Sequence, residues 1–184
     1  MYDRKIRLKS EICLKGHILN SDLKLEENKE FSFCPTCGSK VIDKCPECGA
    51  PILGKNLFQK KRVTGFIIDG KDCTSTHYRD EKVSDDFVLP NYCQNCGKPY
   101  PWTITFLDNY KKILEFDSLN LDQKLKETIY LSTENLLKDN FSITSQYATM
   151  LKTIISPLTS FTKEVIINSF SNLASDAIKE FLNS

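Results

Sequence analysis

Eight cysteines are the residues of this 184-residue chain with the clearest capacity for chemistry. Six of them form pairs separated by two residues, namely Cys34 and Cys37, Cys45 and Cys48, and Cys93 and Cys96. Two thiolates at this spacing can bind one tetrahedral metal ion from a tight turn. A glycine follows each pair, and glycine permits the positive φ that curls the backbone around the sulfur atoms. The repeated pattern therefore predicts metal ligands.

Disulfide bonds are the other common use of cysteine, and the sequence argues against them. The first 30 residues begin basic but contain no apolar run of the kind that a secretory signal requires, so we expect a cytosolic, cytoplasmic protein. Cysteine pairs at this spacing in cytosolic proteins are typically metal ligands. No stretch is long and apolar enough to predict a membrane-spanning helix.

Three pairs leave one pair without a partner, because a tetrahedral site needs four ligands. Cys13 and His17 enclose Gly16 and complete the count, so we predict that both are ligands. Cys73 and His77 have the same spacing but lack a glycine, and they lie in the polar stretch 69–86. For these two, an exposed-loop cysteine and a non-ligand histidine are the favoured interpretation, and an alternative ligand pair stays open.

Successive pairing gives the simplest grouping of these ligands. The first predicted site contains Cys13, His17, Cys34 and Cys37, and the second contains Cys45, Cys48, Cys93 and Cys96. The alternative would join the second and third pairs, which are separated by only seven residues, 38–44. It would also force the first and last pairs to close one site across the whole module.

The ligand types favour two Zn2+ ions over mononuclear iron, because mixed sulfur and nitrogen donors in a tetrahedral site suit zinc. Each predicted site uses four protein ligands and leaves no open position for water. Sites of that kind are structural and not catalytic.

The remaining composition predicts an α+β fold in two parts. All seven glycines and six of the seven prolines lie within residues 1–102, which we interpret as a small double zinc-ribbon module of short β-hairpins. A hairpin insertion is predicted near 55–90, with a strand at 63–68 followed by the turn dipeptide Asp69-Gly70. The basic cluster 59–62 beside it is interpreted as a solvated edge that limits aggregation, and a contact surface is the alternative.

Residues 103–184 have the periodicity of an all-α region. Helices are predicted over 103–116, from a cap at Asn120 or Asp122 to about 138, and from about 144, with a break at Pro157. One further segment carries an apolar stripe from Leu158 to Leu182. A small helical bundle is the favoured interpretation. An oligomerising or partner-binding helix and a membrane-surface helix are the alternatives.

Two motifs resemble a bacterial family of small uncharacterised proteins, a domain of unknown function. One is the segment 12–17, Ile-Cys-Leu-Lys-Gly-His, and the other is 97–103, Gly-Lys-Pro-Tyr-Pro-Trp-Thr, directly after the last cysteine pair. The resemblance implies a double zinc-ribbon front with a helical tail and leaves the biology open. The segment 55–90 is longer and more charged than the corresponding family hairpin. Trp102 is expected to pack beneath the module as a structural aromatic residue.

Charge and motifs favour a binding protein over an enzyme. The 25 basic and 24 acidic residues give a net charge of +1, which lacks the basic excess of a typical polyanion binder. The sequence shows no nucleophile–base pair and no phosphate-binding loop. We therefore expect a zinc-binding, non-enzymatic adaptor or regulatory protein with a protein partner and with self-association through 158–182. The alternatives are a nucleic-acid-binding zinc-ribbon protein that uses Lys60, Lys61 and Arg62, and a thiol-based redox sensor.

Overall fold

The computed structural model describes residues 2–69, 71–170 and 176–183, and the chain divides into two compact units. The first unit is Met1–Leu89 and the second is Pro90–Ser184. This division lies earlier than the compositional boundary at residue 102, because the segment after Leu89 is bonded to the start of the first helix. The Trp102 indole N–H donates to the Pro90 carbonyl at 2.9 Å.

The first unit is an antiparallel sheet. Its strands are β1 (Arg4–Cys13), β2 (Ile18–Leu23), β3 (Val41–Ile42), β4 (Leu53–Ile68) and β5 (Lys71–Val83). Their order is β2-β1-β4-β5, and the short β3 also pairs with β1. Strand β1 is therefore central, and its residues from Leu8 to Cys13 are all buried.

Strands β4 and β5 form one long hairpin in the region near 55–90 where a hairpin insertion was predicted, and β4 begins ten residues before the strand predicted at 63–68. The pairing continues to the rung between Ile68 and Lys71. Asp69 adopts a positive φ of 48°, as a tight hairpin turn requires, and Gly70 of the predicted turn lies outside the described residues. From Lys60 outward, every described residue of this hairpin up to Arg79 is exposed except Cys73, which is half-buried. We call residues 60–79 the β-arm.

The second unit is helical. Its helices are α1 (Pro101–Leu114), α2 (Gln123–Lys138), α3 (Gln146–Ile155), α4 (Ser160–Asn168) and α5 (Asp176–Asn183). The predicted cap of α2 is Asp122, whose carboxylate accepts from the Leu125 N–H at 2.8 Å. Pro157 lies between α3 and α4. The α+β prediction is thus confirmed, with the sheet larger than short ribbons alone would give.

The expectation of one continuous apolar stripe from 158 to 182 was wrong. Two separate helices cover this region, and Leu173 and Ala174 of the stripe lie outside the described residues. Phe170 and Leu182 are buried, but Phe161 is 56% exposed. Helix α4 instead buries Ile166 and Ile167, which the stripe had not included. None of the helices in the described ranges has the length and apolarity that crossing a membrane requires.

Candidate metal centres

The first predicted ligand set comes together in the sheet unit. Cys13 ends strand β1, His17 lies just before β2, and Cys34 and Cys37 lie in the turn before β3. Each residue offers one ligand atom, and these four atoms all lie within 4.8 Å of one another. Cys13 and Cys34 are buried, while the other two are half-buried. Antiparallel pairing of β1 with both β2 and β3 therefore places the four ligands around one point.

The distances between these ligand atoms fit a tetrahedral zinc site. Cys13 Sγ lies 3.7 Å from Cys37 Sγ, and Cys34 Sγ lies 3.5 Å from His17 Nδ1. With Zn–S bonds of about 2.3 Å and a Zn–N bond of about 2.1 Å, the tetrahedral edges are about 3.8 Å and about 3.6 Å. These two distances thus match the edges of such a tetrahedron, and all four ligand atoms lie within 4.8 Å of one another.

The turn around Cys34 recurs at the other two cysteine pairs. In each, the N–H of the first cysteine donates to a carbonyl five residues later, and the N–H of the glycine donates back to the cysteine carbonyl. An isolated β-bridge closes each turn, for example between Phe33 and Lys40. Gly38, Gly49 and Gly97 have φ values of 68°, 71° and 70°. A Cβ at these positions would meet no atom within 4 Å, so space does not require glycine there. The positive φ does, because other residues rarely adopt it.

The second predicted ligand set is also a group with metal-binding spacing. The sulfur atoms of Cys45, Cys48, Cys93 and Cys96 all lie within 4.8 Å of one another. Cys45 and Cys93 are buried, like the first cysteine of the Cys34 turn. The structure therefore groups the eight predicted ligands into two sets of four, the grouping that successive pairing gave.

The surroundings of the first set favour the charged form of its thiols at two positions. Burial raises the pKa of Cys34, but hydrogen bonds from the backbone N–H groups of its turn and from His17 outweigh burial and lower it. Hydrogen bonds from Ser39 lower the pKa of Cys37 to about 6. Burial raises the pKa of Cys13. Hydrogen bonds with Cys34 and Cys37 raise the pKa of His17. Because a ligand must lose its proton to bind metal, metal affinity falls as pH falls.

A buried carboxylate supports the first ligand set from strand β1. Glu11 is fully buried, and its Oε1 accepts hydrogen bonds from the backbone N–H groups of Glu30 and Phe31. These two residues lead directly into the Cys34 turn. Glu11 therefore fixes the chain that positions two of the ligands, in the way that outer residues orient metal ligands elsewhere.

A buried ammonium ion makes a similar connection from the same strand. Lys9 is 3% exposed, and its Nζ lies 2.9 Å from the Asp43 carboxylate, two residues before Cys45. The same ammonium donates to the Glu27 carbonyl. Neither Lys9 nor Glu11 was predicted from the sequence, because alternating charged residues on a strand usually face water. Only the central place of β1 in the sheet shows that they are buried.

Cys73 and His77 occupy a regular strand, which corrects the prediction that Cys73 lies in an exposed loop. Both belong to β5, where Cys73 pairs with Phe66 and His77 pairs with Arg62. Strand residues four apart share a face but are separated by about 13 Å. That separation is too large for one ion to bind both side chains, and neither residue belongs to the two ligand groups found in the described part of the chain.

Comparison with known proteins supports the resemblance noted in the sequence. The searches of curated proteins and of solved structures each gave no significant match. A family model matches residues 6–182, which is nearly the whole chain. Its description is "Uncharacterized protein conserved in bacteria (DUF2321)". The chain therefore belongs to this uncharacterised bacterial family, DUF2321.

Proposed function

We propose that the protein is a zinc-binding, non-enzymatic adaptor or regulatory protein, with two structural zinc ions and a helical protein-interaction tail. The observation that carries the zinc assignment is the first ligand group, whose interatomic distances of 3.7 Å and 3.5 Å match the edges of a zinc tetrahedron. Seven sulfur donors and one imidazole in two groups of four suit zinc better than hard cations.

The ions would have a structural role, because four protein ligands fill a tetrahedral shell and leave no position for a reacting water. In the first group, the protein supplies turns that hold three thiolates and one imidazole. The Glu11 carboxylate restrains the approach to the Cys34 turn. Zinc would supply the bonds that join these segments, and binding energy of that kind is folding energy.

The adaptor part of the proposal rests on apolar side chains that the helical unit leaves partly in water. Leu158, Phe161 and Val165 recur at spacings of three and four along α4 and the residues before it. Leu158 and Val165 are half-buried against the core, while Phe161 is 56% exposed. A partner helix that covers Phe161 would bury apolar surface worth about 25 cal/mol per Å2.

A capture experiment with matched variants tests this surface. Full-length protein is immobilised and exposed to lysate, and bound proteins are compared among the wild type, Phe161→Asp and Phe116→Asp. Phe116 is the control because it is also 56% exposed but lies outside this row of apolar residues. We expect Phe161→Asp to reduce recovery of the bound protein at least about tenfold, an effect of about 1.4 kcal/mol, and Phe116→Asp to leave it unchanged.

Equal recovery by all three proteins would contradict the assignment of this surface. Light scattering on the same variants separates a foreign partner from a second copy. If Phe161 holds two copies together, the wild type has the mass of an oligomer and Phe161→Asp has the mass of a monomer.

A further inference from the structure

One face of the β-arm is strongly basic. Side chains alternate between the two faces of a strand, and cross-strand partners share a face. The rung of Lys60 and Arg79 therefore lies on the same face as the rung of Arg62 and His77. The rung of Ile68 and Lys71 at the tip lies on this face too. We call this side of the arm the basic face.

The basic face continues onto the base of the hairpin. Phe58 belongs to the same face by alternation, and its partner on β1 is Lys5. The Lys5 ammonium lies 5.9 Å from the centre of the Phe58 ring. Lys5, Lys60, Arg62, Lys71 and Arg79 are all exposed, and none of them makes an ion pair within the described part of the chain.

The acidic residues of strands β4 and β5 lie away from this face, and Asp69 lies in the turn that joins the two strands. Asp72 pairs with Ile67 and Asp80 pairs with Gln59, and both rungs lie on the opposite face. Glu81 falls in the bulge between the rungs at Phe58 and Gln59, outside the paired ladder. The net charge of +1 conceals this separation, because it averages over the whole chain.

Like charges placed directly opposite each other destabilise a strand pair in water. Lys60 and Arg79 are such a pair, on a ribbon that is exposed on both faces. A two-stranded ribbon without cover is also only marginally stable. A polyanion bound to the basic face would relieve the repulsion and cover the ribbon at the same time.

We propose that the basic face of the β-arm binds duplex nucleic acid through its phosphates. A two-stranded ribbon fits the major groove of a duplex. Residues two apart on one strand, such as Lys60 and Arg62, are separated by about 6.6 Å. That spacing corresponds to the rise of about two nucleotides along the helix axis, at about 3.4 Å per nucleotide of one strand. The exposed apolar tip, with Phe66 and Ile68 on the same face, would contact sugars or base edges.

An acidic protein is the other class of partner that a basic surface attracts, and the structure favours nucleic acid. Cationic side chains lie at both ends of the basic face and no paired residue on that face is acidic, so the face suits an extended polyanion. Duplex binding would add a second partner to the proposed adaptor function and does not depend on it. The two can fail separately, because zinc content and duplex binding are measured independently.

Fluorescence anisotropy with a short labelled DNA duplex of mixed sequence tests the proposal on the full-length, metal-loaded protein. The variant Lys60→Gln/Arg62→Gln/Arg79→Gln removes three charges from the basic face. The control Lys111→Gln/Lys112→Gln/Lys124→Gln removes three exposed charges from helices α1 and α2. The arm variant should bind the duplex at least about tenfold more weakly than the wild type. The magnitude of its slope of log affinity against log salt concentration should be smaller by about 2.7.

The control variant should keep both the affinity and the slope of the wild type. Lys61 lies beside Arg62 but on the opposite face, so Lys61→Gln should also have little effect on duplex binding. Three results would overturn the proposal: no duplex binding by the wild type at about 50 mM salt, equal weakening by the arm and helix variants, or binding of poly-glutamate in preference to the duplex. Zinc content measured on every variant shows whether a loss of binding reflects a loss of fold.

Discussion

Removal of the metal should unfold the sheet around strand β1. The core around the first ligand group is small, with Cys13, Cys34 and Val41 buried and three more side chains packed against them. Structural zinc contributes on the order of 10–16 kcal/mol in small zinc-binding peptides. Whole domains have net stabilities of about 5–15 kcal/mol. Loss of the ion therefore removes as much free energy as the fold has.

Hydrogen exchange measures this loss at individual backbone amides. After chelation, the amides of β1 and β3 should exchange as in an unfolded chain, and added zinc should restore their protection while magnesium should not. Ellipticity from the helices α2 and α3 serves as the internal control, because these segments contain none of the ligands. Protected β1 amides in metal-free protein would contradict a structural role for the ion.

Phe170→Asp should abolish the cooperative melting of the helical unit. Phe170 is fully buried, and its ring lies 5.3 Å from that of Phe141 and 5.8 Å from that of Tyr110. Truncation of a buried phenylalanine to alanine costs about 3–5 kcal/mol, and an unpaired buried carboxylate adds to that cost. The sum approaches the full stability of a domain of this size.

Phe161→Asp is the matched control, because it makes the same chemical change at a residue that is 56% exposed. Surface changes of this kind usually alter stability by about 0.5 kcal/mol or less. Its melting temperature should stay within a few degrees of that of the wild type, as followed by far-UV circular dichroism. Similar melting curves for the two variants would show that Phe170 is not a core residue.

Local patterns in the sequence predicted the parts of this structure that depend on neighbouring residues. A cysteine pair followed by glycine encodes its own turn, so three such turns could be recognised from spacing alone. The Asp122 cap and the break at Pro157 are local in the same sense. Counting showed that a fourth ligand pair was needed, because each tetrahedral site needs four ligands. The short separation of the second and third pairs then favoured successive pairing.

Features that depend on tertiary context were not predicted. The burial of Lys9 and Glu11 requires the knowledge that β1 lies in the middle of the sheet. Phe161 is exposed, although the apolar period continues through it. Cys73 was assigned to a loop because its polar neighbours resemble one, whereas a ribbon exposed on both faces can be polar and still form strands. Total charge likewise concealed the basic face, which only the register of β4 and β5 reveals.

Metal analysis of protein purified without chelator tests the central claim, two zinc centres with the ligands named above. The wild type should contain about two equivalents of zinc per chain, since eight ligands fill two tetrahedral shells. Cys73→Ser should keep both equivalents, because Cys73 belongs to neither group, and Cys96→Ser should lose one. A single equivalent or iron in the wild type, or release of zinc by Cys73→Ser, would contradict the account.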